Sequence, residues 1–315
     1  MEYRSLGNTG IHVSTVGLGT NQFGGKVDQA SVNDIVDAAL DLGTNLIDTA
    51  NTYQGGRSET TLGVALSGRW DRVVLATKVE HATGDGPNDY GASRYHIMAA
   101  IEASLRRLQT DHIDLYQIHS WDDETPIEET LRTLDDLISS GKVRYIGASN
   151  FAAWQLARAN LLAEVQGWEP FVTIQNHYHM LERGLEREML PYCQAYNVGI
   201  LPYFPLAGGF LTGKYRRGQS APSGSRGESS RYVQSYMTDA NYDRVEQLTA
   251  WAQARDHTMA ELAHAWLLAH PQVSSVISGA TKVSHVQENA RAAGWHLTDD
   301  ELAAVNAVLE GGHSS

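Results

Sequence analysis

The feature that most constrains this chain is an alternation repeated eight times: a short apolar run of strand length, then a longer stretch with apolar residues at helical spacing. The runs are STVGLGT, TNLIDTA, RVVLATKV, HIDLYQIHS, VRYIGASN, FVTIQN, VGILPYF and VSSVISG. Strands that alternate with helices predict a parallel sheet with helices outside. Eight such units in 315 residues predict an α/β fold of the closed (β/α)8 TIM-barrel type. The competing architecture is an open doubly wound sheet, whose dinucleotide fingerprint is G-x-G-x-x-G after the first strand. Here GLGTNQ has Gly17 and Gly19, but Gln22 stands where the third glycine belongs, which favours the barrel. The preceding segment EYRSLGNTGIHVS reads as an N-terminal hairpin. Residues 216–238, rich in Ser, Gly and Arg, are longer than an ordinary connection and read as a functional flap, though their length alone equally suits a disordered insertion. Two helices, NYDRVEQLTAWAQARD and TMAELAHAWLLAH, come before the last strand, and extra helices are expected toward the C-terminus. No linker divides the chain, so residues 1–315 are expected to form one barrel domain.

Composition narrows the function. The 24 basic and 37 acidic residues leave a net charge of −13, which argues against nucleic acid or an anionic membrane as the main partner. An anionic ligand must then rely on local positive features. Cys193 is the only cysteine, so neither an intrachain disulfide nor a thiolate zinc site is expected. It shares a helical stretch with Leu185, Met189 and Leu190 and reads as core. There is no secretory pattern at the start and no apolar run of membrane-spanning length, so the expected setting is cytoplasmic.

Polar residues at the ends of the predicted strands carry the chemistry. Asp48 closes the second strand, Tyr53 follows in its loop, Lys78 closes the third and His119 the fourth. Barrel active sites lie at the C-terminal strand ends, so all four are expected at one mouth. Taken singly, Asp48 suits a turn cap, Tyr53 a packing residue, Lys78 a snorkelling strand end, and His119 a satisfied core histidine. Together they make a proton-transfer set. Tyrosine holds its proton to about pH 10, and a nearby ammonium lowers that value. An aspartate keeps the lysine charged and oriented, so the tyrosine is expected to exchange a proton near neutrality. The histidine can position a polar substrate oxygen.

These residues, with IDTANTYQGGRSETTLG around them and GASNF, LPYFPLAGGFLTGKY and SGATKVSHVQENA later, resemble the aldo-keto reductase family along essentially the whole chain. The resemblance implies a barrel that reduces carbonyls with a nicotinamide cofactor. It implies Asp48, Tyr53, Lys78 and His119 as the catalytic tetrad, with Tyr53 as proton donor. It places Gly19, Thr20, Asp48, Ser149, Asn150, Gln175 and Tyr203 at the cofactor, Tyr203 stacked on the nicotinamide ring. Phe204, Pro205, Leu206, Ala207 and Gly208, with Lys214 and Arg226, correspond to the pyrophosphate cradle and its covering loop. Gly279, Thr281, Lys282, His285, Glu288 and Asn289 correspond to the adenosine end.

Two departures stand out: Phe204 replaces the usual serine, and His285 stands where arginine or glutamine is common. Lys282 supplies charge for a 2′-phosphate, so NADP is expected over NAD. Asn21, Phe23, Tyr90 and Trp121, with Tyr53 and His119, are expected to line the substrate mouth. The substrate expected is a small aldehyde, ketone or keto sugar.

Two other stretches resemble known binding motifs. GGFLTGKY, residues 208–215, resembles a phosphate loop but continues with Tyr215 instead of Ser or Thr, so the hydroxyl for magnesium is missing. His177 and His179 could point the same way along a strand, but no third ligand accompanies them and no metal is expected. Potassium-channel β subunits resemble the same family, so a nucleotide-sensing subunit with little turnover is the alternative reading.

Overall fold

The computed structural model describes residues 1–311. A two-stranded antiparallel hairpin, β1 (Tyr3–Ser5) and β2 (His12–Ser14), comes first. Eight parallel strands follow: β3 (Val16–Gly19), β4 (Leu46–Asp48), β5 (Val74–Val79), β6 (Ile113–Ile118), β7 (Val143–Ser149), β8 (Thr173–Gln175), β9 (Gly199–Ile200) and β10 (Val276–Gly279). They pair in chain order, with β10 returning beside β3. The remaining seam closes through parallel bridges Ile200–Val273 and Tyr203–Ile277. There the Ile277 amide donates to the Pro202 carbonyl at 2.9 Å. Pro202 has no N–H for a ladder, which fits the shortness of β9.

The helices α1 (Gln29–Asp41), α2 (Arg57–Ala65), α3 (Arg94–Leu108), α4 (Ile127–Ser139), α5 (Ala153–Gln166) and α6 (Met189–Tyr196) follow β3 to β8 in turn. Short helices α7 (Arg226–Ser229) and α8 (Arg231–Gln234) lie in the segment after β9. Then come α9 (Asp239–Gln253) and α10 (Met259–Leu268), α11 (Val283–Ala292) after β10, and α12 (Asp299–Glu310). Local sequence explains several boundaries. Asp28 and Ser93 cap α1 and α3 by accepting from the third-residue amides, and Thr258 with Glu261 forms a reciprocal capping box on α10. The helical stretch that holds Leu185, Met189, Leu190 and Cys193 is split into a 3-10 turn, Gly184–Arg187, and α6. Pro191 supplies the reason: without an N–H it suits the first turn of a helix, not its interior.

Strand side chains alternate between barrel interior and helix layer. Outward residues such as Leu18, Ile47, Leu75 and Ile146 pack with the helices in the large core. Inward residues Leu46, Val74, Ala76, Leu115, Leu201 and Ile277 form a smaller core that also contains Leu6 and Val13 of the hairpin. The hairpin therefore plugs the barrel floor. Gly7, at φ +57, makes that approach possible, because a Cβ there would collide with the Val172 carbonyl. The same inward parity runs upward from Leu46 to Asp48, from Ala76 to Lys78 and from Leu115 to Gln117, so the apolar interior gives way to a polar layer at the mouth. No described helix is long and apolar enough to cross a membrane.

Candidate active site

Asp48 and Lys78 sit in that polar layer, 2 % and 0 % exposed. The Lys78 Nζ donates to both Asp48 carboxylate oxygens, at 2.8 and 2.7 Å, and to the Thr49 carbonyl at 2.8 Å. Its remaining neighbour is the Tyr53 hydroxyl at 3.3 Å. Two glutamine amides complete the acid's shell: Gln175 and Gln117 donate to Asp48 Oδ1 at 2.8 and 3.2 Å. A buried ion pair survives when its remaining lone pairs and protons are satisfied, as here. Burial alone would pull the Lys78 ammonium down, but Asp48 and Tyr53 outweigh it and hold the pKa above that of ordinary lysine.

Tyr53 behaves differently from the sequence-based expectation. Burial raises its pKa, Lys78 only partly offsets this, and Asp48 adds to the rise. The phenol therefore keeps its proton, which suits a donor. The His119 ring meets Tyr53 edge-on, with centroids 5.9 Å apart. Burial, then Lys78 and His81, push His119 down to about 2, so its imidazole is neutral. Its Nδ1 is buried without a partner, which leaves Nε2 to meet a ligand.

The next strands add a connected polar chain. Ser149 Oγ donates to the Gln175 carbonyl at 2.8 Å. Asn150, at φ +57, donates to the His119 carbonyl at 2.9 Å and accepts from the Tyr203 hydroxyl at 2.8 Å. Neither Ser149 nor Asn150 caps α5, whose N-cap is Ala152. His177 stacks on the Tyr203 ring at 5.4 Å. Gln175 is thus shared: its Nε2 serves Asp48 and its main-chain carbonyl accepts from Ser149 and Asn150, which leaves the side-chain Oε1 free.

Two expected contacts fail. Thr20 is fully buried; its hydroxyl donates to the Asp48 carbonyl at 2.9 Å and meets Ser58 at 2.9 Å, so it presents no polar atom to a cofactor. Phe23 is also fully buried, because the turn bonding its amide to the Thr20 carbonyl tucks the ring into the core and away from the mouth. Asn21 is half-buried and accepts from Gln54 through its carbonyl at 2.8 Å. Tyr90 is exposed and donates to Glu124 at 3.2 Å, while half-buried Trp121 donates to Asp123 at 2.7 Å and packs on Phe151 and Trp154.

After β9 the chain turns sharply through Phe204, Ala207 and Gly208, all at positive φ. Pro205 and Ala207 are buried, and Leu206 is half-buried. Arg226 from the flap lies over the Phe204 ring at 5.0 Å, and Tyr232 meets Phe204 edge-on and hydrogen-bonds the His177 ring. Val233 is fully buried, so the flap is packed onto the barrel. At the far side, Gly279 and Thr281 are exposed at the end of β10, and α11 starts at Lys282 without a side-chain cap. Its free N–H groups with exposed Lys282 and Lys214 are chemistry that suits phosphate, in a chain of net charge −13. Thr281 Oγ1 lies 3.4 Å from His285 Nδ1, Glu288 is exposed and Asn289 is buried. The residues present therefore fit a nicotinamide dinucleotide along one edge of the mouth.

Residues 15–310 match the model of the aldo/keto reductase family. The chain belongs to the aldo/keto reductase family. Among its relatives is the uncharacterized oxidoreductase YrpG of Bacillus subtilis, 36 % identical, covering 99 % of this chain and 97 % of that protein. A probable voltage-gated potassium channel subunit beta of Arabidopsis thaliana is 37 % identical over 93 % of this chain and 91 % of its own. The versiconal hemiacetal acetate reductase of Aspergillus parasiticus is 34 % identical over 96 % and 95 %. As an aldo-keto reductase, the chain falls among oxidoreductases that act on carbonyls and generally use NAD(P)H.

Sequence reasoning missed Gln117 and Thr49. Gln117 carries a readable signal, since it lies two residues before His119 and so faces the same side of its strand.

In this reductase, Asp48→Asn removes the counter-charge of a fully buried ammonium. The expected loss of stability at pH 7 is about 3–5 kcal/mol. A lysine whose folded pKa is raised stabilises the fold below its unfolded value and loses that contribution as pH rises through the folded value. The gap between wild type and variant should therefore narrow in strong alkali. Urea unfolding at the two pH values checks it, and equal stability at pH 7 would contradict it.

Proposed function

We propose that this protein is an NADPH-dependent carbonyl reductase in which Tyr53 protonates the substrate oxygen. The observation that carries the reading is the buried group at the mouth: a Tyr53 hydroxyl 3.3 Å from a Lys78 side chain fixed by Asp48. The nicotinamide, when bound, supplies the hydride to the carbonyl carbon. Tyr53 gives its phenolic proton to the carbonyl oxygen, and Lys78 stabilises the resulting tyrosinate until solvent returns a proton. Asp48 keeps Lys78 charged and aimed. Neutral His119 hydrogen-bonds the carbonyl oxygen through Nε2 and draws it toward Tyr53. Ser149, Asn150 and the Gln175 side-chain Oε1 would orient the carboxamide of a bound nicotinamide, and Tyr203 would cover its ring. In reverse the same groups oxidise an alcohol.

The substrate class that fits is a small aldehyde, ketone or keto sugar; the fungal relative named for hemiacetal acetate reduction supports carbonyl chemistry. A second reading, a nucleotide-sensing subunit with little turnover, is favoured by the 37 % identity to the plant channel subunit. NADPH consumption across aldehydes, ketones and keto sugars separates the two.

Tyr53→Phe keeps the ring and loses the proton. Carbonyl reduction should fall on the order of 10²–10⁴-fold, while NADPH binding stays nearly unchanged in a fluorescence titration. Near-normal kcat on several substrates would remove Tyr53 as the acid.

Cofactor choice is expected to depend on Lys282 at the start of α11. Lys282→Ala should weaken NADPH by roughly 10- to 150-fold, the scale of a charge-assisted contact of about 1.5–3 kcal/mol, and spare NADH. Burial, Lys282 and Lys214 hold His285 below the ordinary histidine range, so any cationic contribution from it appears only at acid pH. His285→Arg supplies a permanent charge and should favour NADPH. Equal changes for both nucleotides would overturn the assignment.

A further inference from the structure

The turn after β5 has no part in the reaction described so far, yet it is built with unusual care. Directly after Val79, Glu80 adopts φ +118, a conformation that L residues rarely hold, and its carbonyl accepts from the Gly91 amide at 2.7 Å. Backbone strain of this kind persists only where the surroundings enforce it and concentrates at functional sites. Its effect is to swing His81 across the mouth. The His81 ring lies face to face on His119, with centroids 4.0 Å apart and planes 17° from parallel. Its Nε2 lies 3.2 Å from Ser120 Oγ and 3.4 Å from the Glu80 carboxylate. The Glu80 Oε2 atom is buried and has no hydrogen bond of its own. His81 remains exposed although its ring lies on His119.

We propose that His81 is a positioning residue for carbonyl reduction: stacked on His119 and tethered to Ser120, it holds the His119 ring in the orientation that presents Nε2–H to a substrate oxygen. The inference rests on the carbonyl-reductase reading for its kinetic consequence. The need for such a device follows from His119 itself. The ring has no hydrogen bond to fix it, and its buried Nδ1 has no partner. A buried acceptor without a partner is better tolerated than a buried donor, which favours the tautomer with its proton on Nε2. The stack supplies the orientation that a hydrogen bond would otherwise give.

The test compares wild type with His81→Ala and His81→Phe, each bound to NADPH. His81→Ala should lower kcat about 10-fold or more, the scale set by small misplacements of a catalytic group, with NADPH affinity unchanged. His81→Phe keeps a planar ring on His119 and should restore most of the rate. Ring ¹⁵N shifts of His119 should show a single Nε2–H tautomer in wild type and a mixture in His81→Ala. That spectrum needs no turnover: if it fails to change, the role of His81 fails, whereas an active Tyr53→Phe enzyme would refute the reaction itself. A wild-type kcat in His81→Ala, or a His81→Phe enzyme as slow as His81→Ala, would overturn the stacking account.

Discussion

The mouth of this barrel is organised around one contact, the bidentate pairing of the Lys78 ammonium with Asp48 in a site that water does not reach. A charge buried that deeply is tolerable only when paired and fully hydrogen-bonded. Satisfying it fixes much of what surrounds it. Thr49 offers a carbonyl, Gln117 and Gln175 bring amides from two other strands, and Tyr53 is left as the one neighbour able to exchange a proton. The strands must hold their register for these side chains to converge: Lys78 pairs with Gln117 across β5 and β6, and Ser149 with Gln175 across β7 and β8.

The barrel makes that arrangement affordable by separating two environments along its axis. The hairpin and the inner aliphatic residues fill the floor, and the polar layer begins one inward position higher. Because inward positions recur every second residue, a shift of one residue would turn Asp48, Lys78 or Gln117 into the helix layer. The flap completes the enclosure from above, with Arg226 over Phe204 and Tyr232 against His177. Phe204, which replaces a hydroxyl residue common in the family, thus finds a packing role against the flap.

Much of this was legible in the sequence, for a physical reason. Strand and helix periods differ sharply, so eight alternations specify the barrel, and the last residues of its strands must face the active end. Asp48, Lys78 and His119 were readable on that basis, and Tyr53 by proximity. What stayed hidden depends on tertiary geometry. Thr20 and Phe23 sit beside the mouth in sequence, but a tight turn sends one hydroxyl to Asp48 and one ring to the core. Charges near Tyr53 can be counted in a sequence, whereas the desolvation that opposes Lys78 cannot. Gln117 needed the strand register, and the stack of His81 on His119 needed a positive φ at Glu80, which no propensity announces.

The central claim is that Lys78 acts on the proton of Tyr53 and is more than a structural partner of Asp48. The most direct measurement is the pH dependence of alcohol oxidation, where Tyr53 must accept a proton, in wild type and in Lys78→Met. The methionine keeps the length of the side chain and removes its charge, so the tyrosinate loses its stabilising ammonium. The account predicts that the inflection in rate moves to higher pH in the variant. A slower enzyme whose inflection stays where the wild type has it would contradict the claim and leave Lys78 a purely structural residue.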